Sequence, residues 1–191
     1  MRVIAGKYRS RPLRSLRGMD IRPTSDRLRE TLFDVLCAGN PEALAGTTWL
    51  DLYAGSGAVG IEALSRGAAM VYFAEASKAA AEVIAANLKS LGIEAGFQVA
   101  RSEAVKALRQ WESAGVRADY VFLDPPYRLR EEYAKALSAL AESKLLAESG
   151  QVIAEHEKRF DPGEGYGKLH CHRKLKQGDV ALSFYSAQSA R

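Results

Sequence analysis

The stretch Trp49 to Gly60, WLDLYAGSGAVG, constrains this chain more than any other. An apolar run carrying an acid, Asp51, breaks into Gly55-Ser56-Gly57-Ala58-Val59-Gly60 and resumes with helical spacing. Strand, glycine turn and helix in that order bring backbone N–H groups and a helix N-terminus up to a nucleotide-like ligand. Gly55 and Gly57 let the backbone come near the ligand, and Gly60 allows close helix–strand contact.

Glu75 closes the next apolar run, MVYFA, and stands 20 residues after Gly55. A carboxylate there can accept hydrogen bonds from both hydroxyls of a ribose. That geometry serves any adenosine-containing ligand and does not separate a nicotinamide cofactor from S-adenosylmethionine.

The chain beyond the glycine turn keeps alternating. A helix runs to about Ser65 and stops at Gly67; a strand follows over 70–74, and Ser77 caps a helix that reaches Leu91 before Gly92. Strand 97–100, helix 102–111, strand 120–123, helix 130–141 and a strand core at 152–154 come next. Strands that are apolar nearly throughout, alternating with helices, predict a mostly parallel sheet covered on both faces. Residues 168–176 and 179–185 flank Gln177-Gly178 without room for a crossover helix, which predicts an antiparallel hairpin. A parallel sheet finished by a hairpin departs from the usual dinucleotide dehydrogenase plan. A length of 191 residues holds one such α/β domain and a small appendage.

The appendage lies at the N-terminus. Residues 1–30 carry nine basic and three acidic side chains, whereas the remainder has 18 basic and 20 acidic. Basicity confined to one segment points to a polyanion partner. Residues 2–5 read as a short strand, Gly6-Lys7 as a turn and 8–14 as a second extended piece. Thr24 or Ser25 then caps a helix with Leu28, Leu32, Phe33, Val35 and Leu36 at helical spacing, and Gly39 as its stop. The expected division is a basic arm and helix over 1–40, an RNA-binding extension, and the main domain over 41–191. Arg9, Arg11, Arg22, Arg27 and Arg29 are the candidate phosphate contacts. No apolar run is long enough to span a bilayer and no leader pattern precedes the arm. Cys37 and Cys171 give neither metal-ligand spacing nor a disulfide framework, so the expectation is a cytoplasmic protein with no metal and no membrane partner.

Asp124-Pro125-Pro126-Tyr127 falls at the C-terminal end of the fourth strand of the series, where open α/β sheets place ligand chemistry. Paired prolines stiffen the loop and hold the Pro125 carbonyl outward. A carboxylate, a fixed carbonyl and an aromatic face together form a receptor for a planar amino group. The exocyclic amine of a base delocalises its lone pair into the ring and is a poor nucleophile. Two acceptors that take its hydrogens favour the pyramidal nitrogen that attacks a methyl group, while Tyr127 stacks on the ring.

At these residues the chain resembles a known family. WLDLYAGSGAVGIEALSRGA, FAEAS, DPPY and the N-terminal RVIAGKYRSRPL and RPTSDRLRETLFDVL together look like the bacterial small-subunit (16S) rRNA guanine-N2 methyltransferases. The last two segments are the most specific, and the resemblance covers nearly the whole chain. It implies a class I, Rossmann-like three-layer sandwich, S-adenosylmethionine as cofactor, and 16S rRNA as substrate, free or within a partly assembled small subunit. It places Asp51, Tyr53, Gly55 and Gly57 at the methionine part of the cofactor and Glu75 with Ala76 at its ribose. The family's Asp-Ala pair near the adenine is here Ser102-Glu103-Ala104, which leaves open whether Ser102 or Glu103 makes the polar contact. Asp124, Pro125, Pro126 and Tyr127 would hold the guanine amine for direct, in-line methyl transfer.

Other readings weigh less. A DNA or protein amino-methyltransferase shares the receptor but not the N-terminal match. A nicotinamide-dependent oxidoreductase leaves DPPY unexplained, and a silent RNA-binding module leaves both motifs unexplained. His170 and His172 share a strand face with Lys168, Lys174 and Lys176 if the strand is regular, a cationic row hostile to a metal ion. His156 has no nucleophile partner in the sequence pattern.

Overall fold

A computed structural model of the chain describes residues 1–16 and 25–187. The strands are β1 (Thr48–Leu52), β2 (Met70–Ala74), β3 (Phe97–Ala100), β4 (Ala118–Leu123), β5 (Leu146–Glu157), β6 (Gly165–Tyr166), β7 (Leu169–Gln177) and β8 (Val180–Ala187). They form one sheet in the order β3-β2-β1-β4-β5-β8-β7-β6. The first five are parallel, and β8, β7 and β6 add on antiparallel. The helices are α1 (Asp26–Leu36), α2 (Ala58–Ser65), α3 (Lys78–Leu91), α4 (Ala104–Ser113) and α5 (Glu131–Glu142).

Strand alternation builds the two outer layers. Trp49, Val71, Phe122 and Ile153 pack with side chains of α1, α2 and α3, while Leu50, Leu52, Val121 and Val152 pack with α4 and α5. Both faces of the parallel strands are therefore apolar, which is why the sequence shows continuous runs there. The strand order reverses between β1 and β4, and the crevice beyond their C-terminal ends is where such sheets bind ligands. Gly60 has no room for a side chain: a Cβ there would lie 2.3 Å from Cε1 of Phe73. Ser25 caps α1 by accepting the Leu28 N–H at 3.1 Å, and Ser77 caps α3.

The N-terminal arm is stitched to α2 rather than to the sheet. Glu62, wholly buried, accepts the N–H groups of Ile4 (2.7 Å) and Ala5 (2.9 Å). Lys7 N–H donates to the Ser65 carbonyl at 2.7 Å, and a Cβ on Gly6 would fall on that same carbonyl. Val3 and Leu13 enter the core cluster that holds Trp49 and Phe73. The Val3, Ser10 and Leu13 N–H groups bond across the arm, but those of Ile4, Ala5 and Lys7 go to α2, so the described part of the arm forms one bridge, Arg2 to Pro12, in place of the strand expected over 2–5.

Three further boundaries differ from expectation. α1 ends at Leu36, where the Cys37 N–H bonds back to Phe33, three residues before Gly39. β5 extends over Leu146–Glu157, because Leu146 pairs with Ala118 of β4 at its start and antiparallel pairing with β8 carries it past its apolar centre to Glu157. A register shift between Cys171 and Arg173 breaks the cationic row expected on β7. Lys174 pairs with Ser183 and Cys171 with Tyr185, so Lys174 shares the face of Cys171 and not that of His170. Among the described residues, no helix is long and apolar enough to cross a membrane.

Candidate active site

A cavity of about 610 Å³ opens at the C-terminal ends of β1, β2 and β4. That volume lies in the range of small-molecule sites, roughly 300–1,000 Å³. Its first wall is the glycine turn. Tyr53 (φ 59°) and Gly55 (φ 56°) both take left-handed conformations, so the backbone doubles back at the strand end. A Cβ on Gly55 would meet only the Tyr53 carbonyl, at 4.0 Å, so the turn presents bare backbone. Glu75 braces it: one carboxylate oxygen accepts the Gly55 N–H and the other the Ser77 N–H, each at 2.8 Å. Each oxygen keeps a second lone pair for a ribose hydroxyl.

Asp51 lies beneath this turn and accepts the Gly60 N–H at 2.9 Å. Burial, with Glu75 nearby, pushes its carboxyl up to about 8 against the opposing Gly60 bond. The Tyr53 hydroxyl donates to Glu132 at 2.9 Å, and Lys135 donates to the same carboxylate at 2.7 Å, so α5 pins the aromatic ring of the turn. Desolvation, reinforced by the Glu132 bond, raises the Tyr53 phenol, which stays protonated.

The opposite wall is Asp124 to Leu129. The Leu129 N–H closes that loop on the Pro126 carbonyl at 2.7 Å, leaving the Pro125 carbonyl out of the bond. Pro125 is buried, and Tyr127 is half-buried along the cavity wall. Burial, then Glu155, then Asp51 push the Asp124 carboxyl well above its ordinary range.

The cavity brings together Asp51, Tyr53, Gly55, Glu75, Ala76, Ser102, Glu103, Ala104, Asp124, Pro125, Pro126 and Tyr127. Gly57 stands apart: it caps α2 at φ 76°, with its Cβ direction 3.2 Å from Ile84, and supports the turn from behind. Ser102 and Glu103 both line the wall, and Glu103 occupies the N-cap of α4 without a side-chain capping bond. Sequence reading missed Ser15, Leu16, Leu129, Glu132 and Lys135, which also line the cavity. Ser15 and Leu16 arrive through Asn87, whose side chain bonds the backbone of Arg14 on both sides and the Ser56 carbonyl at 2.9 Å. A buried Asn in an alanine-rich helix was the available signal.

Arg9, Arg11 and Arg27 are exposed. Arg29 is not: its side chain is wholly buried, bonding Asp26 and the Arg2 carbonyl at 2.7 Å each, so it cannot meet a phosphate. The helical position three after Asp26 turned it inward against Glu62 and Glu155. Arg22 lies outside the described residues. His156 does have a serine partner, Ser183 Oγ at 2.8 Å, but both are buried away from the cavity and the bond is structural.

The family described as Conserved hypothetical protein 95 matches residues 1–186. Ribosomal RNA small subunit methyltransferase D of Escherichia coli K12 is 33% identical over 190 residues, covering 99% of this chain and 91% of that protein. The solved structure of yhhF from Escherichia coli is 31% identical at a TM-score of 0.83, covering 100% and 99% of the two chains. A structure from Thermus thermophilus, hypothetical protein TTHA0928, is 27% identical at a TM-score of 0.81, covering 98% and 99%. The architecture is the class I methyltransferase sandwich with a terminal antiparallel hairpin.

Proposed function

The chain belongs to the family described as Conserved hypothetical protein 95, and from that premise we propose that it methylates small-subunit rRNA, at the exocyclic N2 amine of a guanine. One observation carries the reading: a single cavity has the braced glycine turn on one wall and the amine receptor on the other. The name of the Escherichia coli relative supplies the rRNA substrate.

The residues present fit S-adenosylmethionine. Bare backbone at Gly55, the carboxylate of Glu75 and the Ser102-Glu103-Ala104 wall would hold its methionine, ribose and adenine parts, with Asp51 and Tyr53 beneath and beside the methionine. When bound, the cofactor supplies an electrophilic methyl group. Asp124 and the Pro125 carbonyl accept the two amine hydrogens, and Tyr127 holds the base plane. Catalysis by this chain is then positioning and preorganised electrostatics, with no covalent enzyme intermediate. The segment 1–40 acts as the RNA-binding part, with Arg9, Arg11 and Arg27 on phosphates. Its function is separate, although Val3, Leu13 and Leu28 share the main core. The target base is splayed out of the RNA and into the cavity.

The test is incubation with radiolabelled S-adenosylmethionine and, in parallel, naked 16S rRNA, partly assembled small subunits and DNA. Label on either RNA substrate supports the reading. Label on DNA alone, or NADH oxidation without methyl transfer, contradicts it.

A further inference from the structure

Asp124 has a second carboxylate behind it. β4 and β5 are parallel, with Leu123 opposite Ala154, so residues 124 and 155 follow side by side. Phe122 and Ile153 pack toward α1, α2 and α3, and Leu123 and Ala154 pack the other way. Alternation therefore sends the side chains of Asp124 and Glu155 toward the α1–α3 layer, on strands about 4.8 Å apart. Asp51 lies on that face one strand away, paired in register with Phe122. Glu155 is 3% exposed and faces a smaller cavity between the start of α1 and the β7–β8 turn, so it does not reach the substrate cavity. The Tyr133 hydroxyl donates to the Glu155 carbonyl at 2.7 Å and fixes this strand end.

The charged groups that Asp124 feels are Glu155 from β5 and Asp51 from β1, and Tyr133 of α5, at the strand end, feels Asp124, Tyr127 and Glu155 in turn. Arg29, from α1, lies on the Glu155 side and also feels Asp26 and Glu62. Two adjacent carboxylates, one buried and one half-buried at the cavity wall, do not both ionise as isolated ones do. Their mutual repulsion and the lost hydration both favour keeping a proton.

We propose that Glu155 is a positioning residue for methyl transfer: buried behind the half-buried Asp124, it forms with it a carboxylate pair that shares one proton in the free protein and must release it to solvent before Asp124 accepts the amine hydrogens at full charge. The proposal rests on the methyl-transfer reading above. A proton held between Asp124 and Glu155 occupies one Asp124 oxygen and removes most of its negative charge, so the protonated pair accepts the amine hydrogens only weakly. Glu155 thereby sets the pH below which the receptor is closed, without touching RNA or cofactor.

The experiment is the pH profile of kcat/KM for methylation of small-subunit rRNA by the wild-type protein, Glu155→Gln and Glu155→Asp. Glu155→Gln removes the neighbouring charge, so its acid limb moves to lower pH by about one unit or more. Glu155→Asp keeps a limb near that of the wild type. An acid limb unchanged in a folded Glu155→Gln protein would overturn the pair. A second measurement needs no variant: side-chain carboxyl carbon NMR of the wild-type protein, titrated from acid to alkaline pH. Asp124 and Glu155 should titrate in two coupled steps, and a single independent step for Asp124 near the ordinary value of about 3.9 would equally overturn the proposal. Absence of methyl transfer at every pH would instead defeat the functional reading, while the NMR titration still decides the pair.

Discussion

At the scale of single residues, the site is a set of acids whose surroundings give them different tasks. In the proposed function Asp124 orients the acceptor, so Asp124→Ala should lower kcat by at least ~10²-fold, the scale for losing one preorganised polar group. A variant within threefold of wild type in a steady-state methylation assay would remove Asp124 from the mechanism. Asp51 is raised to about 8 by burial, whereas an exposed aspartate in the unfolded chain titrates near 3.9. The folded state therefore holds a proton that the unfolded state has lost, and this group's contribution to stability falls as pH rises from about 4 through 8. Asp51→Asn cannot lose that proton. Its stability relative to wild type, measured by urea unfolding without ligand, should increase between pH 5 and pH 9; a constant difference would show that Asp51 is ionised throughout. Gly60→Ala would drive a methyl into Phe73 and should cost about 1–3 kcal/mol in the same measurement, the usual cost of overpacking a core.

At the scale of elements, the arm and α2 behave as one unit. Glu62 accepts two arm N–H groups and the Arg66 guanidinium while wholly buried. Glu62→Ala strands those donors and should destabilise the protein by about 3 kcal/mol in urea unfolding. A loss below about 1 kcal/mol would mean the arm is held by its apolar contacts alone. Removing the whole arm would uncover Glu62 and is therefore a poor test of RNA contact. None of this was legible in RVIAGKYRSRPL, because Glu62 and Ser65 look like ordinary helix positions until the arm lies on them. The parallel strands and the helices between them were legible, since their apolar periodicity reflects the burial that forms them. The β7 register was not: a bulge at Cys171 to Arg173 leaves no mark in composition, yet it moves Lys174 and Lys176 to the other face. Both walls of the cavity were readable because glycine, proline and acid stand at strand ends. Glu132 and Lys135 were not, since they reach the site only through the packing of α5.

At the scale of the whole molecule, basic charge is concentrated in the first thirty residues rather than spread evenly. With Arg29 taken inward, Arg9, Arg11 and Arg27 remain exposed among the described candidates. Three phosphates neutralised on single-stranded RNA correspond to a slope of about −2 in log K against log salt. Replacing all three arginines by alanine should flatten the measured slope by that amount, and an unchanged slope would place the RNA elsewhere on the protein. The central claim, however, is that one cavity joins a methyl donor to a guanine amine. Its most direct measurement is nucleoside analysis of small-subunit rRNA after incubation with labelled S-adenosylmethionine and either wild-type or Asp124→Ala protein. The account predicts label in N2-methylguanosine with the wild type and its loss with Asp124→Ala. Label on a carbon, on a ribose or on another base, or equal N2 labelling by the variant, would contradict it.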